Sequence, residues 1–191
     1  MIDKWAHVGH KLGECWVSPA GNITYIHIPK NASSRVKGCV ASNQWQHSDT
    51  LVNSDQFLVI LRDPIDRWCS GIAQFQLNNQ QLELDVAEVF NRITFDDHTE
   101  QQIYFLQTVD LNKVTFIMID DEFDNTFNHW LVENGYPKID NTIRFNQSDG
   151  IKLELKQKYQ RLIDSTPEYM LQLKKHFAND YALIHQVKFY D

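Results

Sequence analysis

The sequence predicts an α/β domain built on a mostly parallel sheet, and three observations carry that expectation. Short apolar runs of strand length recur at Ile23 to Ile28, Phe57 to Leu61 and Val114 to Ile119. Each is followed by a stretch whose apolar residues fall at helical spacing, and strands alternating with helices favour parallel pairing. Two of the runs also break at a proline into a polar, helix-starting segment: Tyr25-Ile-His-Ile-Pro-Lys-Asn-Ala-Ser-Ser34 and Phe57-Leu-Val-Ile-Leu-Arg-Asp-Pro-Ile-Asp-Arg-Trp-Cys-Ser70.

Taken in order, Gly21-Asn22 marks a turn, and the β-branched and aromatic run after it is ended by Pro29. Ser33 or Ser34 is placed to N-cap a helix running toward Trp45, with Val36 and Val40 one turn apart. The continuous run Phe57 to Leu61 suits a strand covered on both faces. Asp63 is a natural N-cap with Pro64 at the first helical position; Ile65, Trp68, Ile72 and Phe75 then form one apolar stripe, and Arg67, Ser70 and Gln74 lie on another face. Helices are expected around Asp85 to Ile93 and Glu100 to Gln107, and from about Glu122 to Asn134, closed by Gly135 and Pro137. Leu153 to Ile184 reads as helical, interrupted at Thr166-Pro167.

At 191 residues, 42% hydrophobic and 23% charged, the chain has the balance of one compact domain spanning residues 1–191. The segment Met1-Ile-Asp-Lys-Trp-Ala-His lacks the apolar region of a secretory leader. No apolar run approaches the roughly 20 residues of a membrane span. Cys15, Cys39 and Cys69 are odd in number and widely spaced, which argues against a disulfide framework or zinc site and for a reducing compartment, the cytoplasm. The net charge of −7 argues against nucleic acid, whose affinity comes from clustered Lys and Arg. An anionic ligand therefore needs a local pocket.

Both proline-broken segments lie at carboxyl ends of strands, where open α/β sheets bind ligands. The first puts Lys30 after a strand and Ser33-Ser34 at a helix start, where backbone N–H groups and the helix dipole attract an anion. The plain alternative is a strand, a turn and a serine cap beside an exposed lysine. The run lacks the G-x-x-x-x-G-K-[ST] pattern of a nucleotide P-loop. In the second segment Arg62 leaves the strand, and Ser70 follows about two helical turns later, within reach of the same anion. Its plain alternative is an Asp63-Pro64 cap with a surface arginine.

The Pro29-Lys-Asn-Ala-Ser-Ser34 run resembles the 5′-phosphosulfate loop of sulfotransferases, and Arg62-Asp-Pro-Ile-Asp-Arg67-Trp-Cys-Ser70 resembles their 3′-phosphate motif. His98-Thr-Glu-Gln-Gln-Ile-Tyr-Phe-Leu106, Val114 to Phe123 and Asn179-Asp-Tyr-Ala-Leu183 are similar to segments of the carbohydrate sulfotransferase branch. The resemblance implies a three-layer, P-loop NTPase-like sandwich with a helical C-terminal part. It implies 3′-phosphoadenosine 5′-phosphosulfate as donor, the bisphosphate as product, no metal, and in-line transfer to a hydroxyl of a small-molecule or carbohydrate acceptor. Carried onto this chain, Lys30 would meet the bridging oxygen, Asn31, Ala32, Ser33 and Ser34 would cradle the 5′-phosphate, and Arg62 and Ser70 would hold the 3′-phosphate. Asn31 stands where the family usually has Thr.

An attacking hydroxyl must lose its proton, and His47, between the two motifs, is the first candidate base; an imidazole suits neutral pH. Its plain alternative is an exposed turn histidine beside Asp49. His98 is the rival, lining the acceptor site or capping the helix that follows it. His27 reads as a packed core histidine, and His7 and His10 have metal spacing without a third ligand. The resemblance would set Phe145-Asn-Gln-Ser148 against the adenine end of the donor; by its residues the run reads equally as a polar loop. Two other functions compete: a P-loop-type kinase, suggested by Phe116-Ile-Met-Ile-Asp-Asp121, and a non-catalytic nucleotide-binding domain. The sequence names neither the acceptor nor the oligomeric state.

Overall fold

The computed structural model describes residues 13–139 and 150–190. His7, His10 and the 145–148 run lie outside the described residues. The described chain divides into two interleaved compact units. A sheet unit takes residues 13–62, 105–139 and 186–190; a helical unit takes 63–104 and 150–185.

The sheet unit carries strands β1 (Cys15–Val17), β2 (Ile23–Ile26), β3 (Gln46–Ser48), β4 (Gln56–Leu61) and β5 (Val114–Met118), ordered β3-β1-β2-β4-β5. The pairs β2–β4 and β4–β5 are parallel, whereas β1–β2 and β1–β3 are antiparallel. The sheet is therefore mixed, where a mostly parallel one was expected. The three apolar runs do form its adjacent parallel strands. The added strands are only three residues long, too short for an alternation to be legible.

Residues alternate across the sheet. Tyr25, Leu58, Ile60 and Ile117 point to one face, where they pack with Val36 and Val40 of α1 (Ser33–Ser42) and Phe127, Trp130 and Leu131 of α4 (Phe123–Glu133). Phe57, Val59, Leu61 and Phe116 take the alternate positions and are also buried, which is why β4 reads as a continuous apolar run. Gly135 ends α4 at a φ of 80°, the left-handed geometry expected for it.

The helical unit contains α2 (Pro64–Asn78), α3 (Val86–Arg92), α5 (Gly150–Ser165), α6 (Pro167–His176) and α7 (Ala178–Gln186), whose last residue passes into the sheet unit. Its core gathers Trp68, Ile72 and Phe75, the predicted stripe of α2, with Val89, Phe90, Tyr159, Ile163, Leu173 and Phe177. The expected helix at Glu100 to Gln107 is instead a 3₁₀ turn over Gln102–Leu106. The Asp180 carboxylate accepts from the Gln102 and Ile103 amides at 2.9 Å each, satisfying two N–H groups that start this turn. The break at Pro167 is present, and a second separates α6 from α7 at Phe177.

Candidate active site

The loop between β2 and α1 departs from ordinary turn geometry. Lys30 has a φ of 69° and Ala32 a φ of 50°, both in the left-handed region that side chains other than glycine avoid at a cost of about 1–2 kcal/mol each. Such strain persists only where surrounding bonds fix it. Asn31, between them, is fully buried: its Nδ2 donates to the Ile60 carbonyl at 2.7 Å and its backbone amide to the Ile28 carbonyl at 3.3 Å. Arg62 Nη1 donates to the Lys30 carbonyl at 2.9 Å. The end of β4 thus holds the loop from two sides.

The helix after this loop starts one residue earlier than expected. Its N-cap is Ala32, so Ser33 and Ser34 are the first residues inside α1 and do not cap it. No side chain caps this end and no acid lies in the first turn. Arg35, the third residue of α1, is paired with Asp124 at 2.7 Å. By contrast α2 supplies its own anion, as expected: Asp63 accepts from the Ile65 and Asp66 amides at 3.0 and 2.8 Å. Of these two helices, α1 is the one whose first turn carries no acid of its own.

Lys30, Asn31, Ala32, Ser33, Ser34 and Arg62 all belong to the sheet unit. Ser70 belongs to the helical unit, where it is buried on α2 and donates to the Asp66 carbonyl at 3.1 Å. Arg67, off the apolar stripe of α2, is nonetheless fully buried. Its Nη1 donates to the Glu100 carbonyl and its Nη2 to the Asp97 carbonyl at 3.1 Å. The second arginine of the motif therefore anchors the loop that carries His98.

That loop is fixed from several directions. Thr99, also buried, accepts the Phe95 and Asp96 amides on its hydroxyl at 2.7 and 3.0 Å. Position 71 must be glycine, because a Cβ there would collide with the His98 carbonyl. Within this frame His98 Nδ1 lies 2.9 Å from Asp96 and 3.2 Å from Asp97. Burial disfavours the imidazolium, but hydrogen bonds to Asp96 and then Asp97, with their charges, outweigh it and raise the pKa above 6.5. The ligating atoms of Asp96, Asp97 and His98 lie within 4.8 Å of one another, close enough to hold a metal ion. A cleft of about 400 Å³ elsewhere in the helical unit is lined by Asp63, Asp66 and Asp164, a setting that repels anions.

His47 is not on a turn but on the exposed strand β3, its ring 5.1 Å from that of Trp16 on β1. Its Nε2 lies 3.4 Å from Glu14 and 3.9 Å from Asp49. His27, just past β2, is buried as expected and pairs with Glu14 at 3.0 Å. Glu14 and Arg67 escape a reading of the sequence because each acts through residues distant in the chain. Asp96-Asp97-His98 did carry a local signal, three potential ligands in succession.

No helix among the described residues is long and apolar enough to cross a membrane. Comparisons with family models, curated proteins and solved structures give no match to this chain.

Proposed function

We propose that the protein is a sulfotransferase that moves the sulfuryl group of 3′-phosphoadenosine 5′-phosphosulfate to an acceptor hydroxyl, possible acceptors including carbohydrates. The observation that carries this reading is the loop at the end of β2. Two strained residues, Lys30 and Ala32, are held by Asn31 and Arg62 immediately before a helix start that has no acid and no side-chain cap. Strain kept in place this way points to a ligand, and the positive helix end to an anionic one.

On this reading the backbone N–H groups and hydroxyls at Ser33 and Ser34 receive the 5′-phosphate, and Lys30 neutralises charge on the bridging oxygen as its bond to sulfur breaks. The guanidinium of Arg62 joins the loop to the 3′-phosphate. Asn31 serves the loop through its buried amide, which accounts for a residue other than Thr at this position. Such transfer needs mainly positioning and neutralisation of developing charge. The resemblance also assigns Ser70 to the 3′-phosphate; the contacts proposed here are those of the sheet unit. His47 is the proposed base. The finer fold class belongs to the same proposal: a three-layer, P-loop NTPase-like sandwich is supported by the adjacent parallel strands β2, β4 and β5, with α1 following β2. Three buried, free cysteines fit a cytoplasmic setting.

The test is thermal shift with 3′,5′-adenosine bisphosphate against ATP plus magnesium, since a ligand that binds only the native state raises the melting temperature. The bisphosphate should raise it, and Arg62→Ala should abolish preference for the 3′-phosphorylated nucleotide over its dephosphorylated analogue. A shift with ATP and magnesium but none with the bisphosphate would replace this reading with a kinase.

A further inference from the structure

Glu14 lies at the carboxyl end of β2 beside the donor loop, because antiparallel pairing sets its neighbour Cys15 opposite Ile26. Among the described residues, its carboxylate gathers three basic side chains from separate parts of the sheet unit. His27 Nδ1 is 3.0 Å from Oε2; Lys37 Nζ, on α1, is 2.7 Å from Oε1; His47 Nε2, on β3, is 3.4 Å from the same oxygen. The Glu14 side chain is only 11% exposed, and a carboxylate so removed from water is tolerated because cationic and hydrogen-bonding partners surround it. Lys37 meets that requirement with a hydrogen bond of 2.7 Å, and His27 Nδ1 adds a close contact. The third partner, His47, is 42% exposed and is the most solvent-accessible of the three.

We propose that Glu14 is a positioning residue for His47. The Glu14 and Asp49 carboxylates, 3.4 and 3.9 Å from Nε2, favour the proton on that nitrogen and leave Nδ1 as the proton acceptor. The tilted Trp16 ring limits rotation of the imidazole. This role rests on the sulfotransferase reading. The acceptor O–H bond breaks and its proton passes to His47 Nδ1. The oxygen lone pair forms the new bond to sulfur as the bond from sulfur to the bridging phosphate oxygen breaks, and the bisphosphate leaves with that electron pair. The Glu14 carboxylate lies 3.4 Å from Nε2 of the imidazolium so formed. Among the described residues, the charged groups facing His47 are Glu14 and Asp49, with Lys37 and His27 contacting Glu14.

Nitrogen-15 NMR of the histidines in the full chain tests the assignment, alongside sulfate release from 3′-phosphoadenosine 5′-phosphosulfate. Neutral His47 should carry its proton on Nε2. In Glu14→Gln that preference should weaken, and kcat should fall roughly tenfold or more with donor KM and the bisphosphate thermal shift unchanged. If Glu14→Gln fails to fold, Glu14→Asp, which keeps the charge at shorter reach, should show the same weakened preference. A proton on Nδ1 in the wild type, a tautomer unmoved in both variants, or an unchanged kcat would overturn the proposal. No bisphosphate shift in the wild type would sink the sulfotransferase reading, and this role with it, by a measurement independent of the tautomer.

Discussion

Arg62 and Arg67 belong to one short motif and do different work. Arg62 reaches the strained donor loop, whereas Arg67 is buried and holds backbone carbonyls of the His98 loop. A guanidinium suits that second task because its planar fork can satisfy two carbonyls at once. The firmness of the loop gives His98 a measurable signature. Its raised pKa means that the folded protein holds the imidazole proton more tightly than the unfolded chain does. The resulting stabilisation is complete below the unfolded value near 6.5 and is lost as pH rises through the folded value. The advantage of wild type over His98→Gln in urea midpoint should therefore be largest in mild acid and shrink toward alkaline pH. A difference that does not vary with pH would show that Asp96 and Asp97 do not hold the proton.

At the scale of elements, the contrast between α1 and α2 is the informative one. Both follow parallel strands, yet α2 begins on its own Asp63, whereas α1 begins on Ala32 with no acid in its own first turn. Ser33→Asp should supply the missing charge. It should stabilise the protein by about 0.3–1 kcal/mol in urea denaturation through the helix dipole and, by occupying the anion's place, eliminate the bisphosphate thermal shift. A raised midpoint with the shift intact would mean that the phosphate does not bind at this helix start. The sequence made these elements legible wherever the signal was local. Pro64 and Asp63 placed the start of α2, and its stripe of Trp68, Ile72 and Phe75 became core. It misplaced the cap of α1 because an alanine held left-handed by Asn31 and Arg62 leaves no mark in composition. It missed β1 and β3 because three residues are too few to show a period, and with them the carboxylate of Glu14 beside His47.

Across the whole molecule, the three thiols report on the integrity of both cores. Cys15 and Cys39 lie in the sheet unit and Cys69 in the helical unit, all buried and free. Burial, only partly offset by Asn43 and Arg35, pushes the Cys39 thiol up to about 11. The native protein should leave all three unreacted with a thiol reagent at neutral pH and expose them in denaturant, so that labelling follows unfolding. A thiol that reacts at once in native buffer would place it outside the core described. The interleaving of the two units has a kinetic consequence. The parallel ladder sets Tyr25 beside Leu58 and Leu58 beside Thr115, and a further bridge joins Phe116 to Phe189. No hairpin can nucleate such pairings, because each closes a long loop before any contact rewards it. During synthesis the first strands of this ladder wait for partners not yet made, with apolar edges exposed. Refolding of the chain should accordingly be slow, with a yield that falls as protein concentration rises, which refolding by dilution at several concentrations checks.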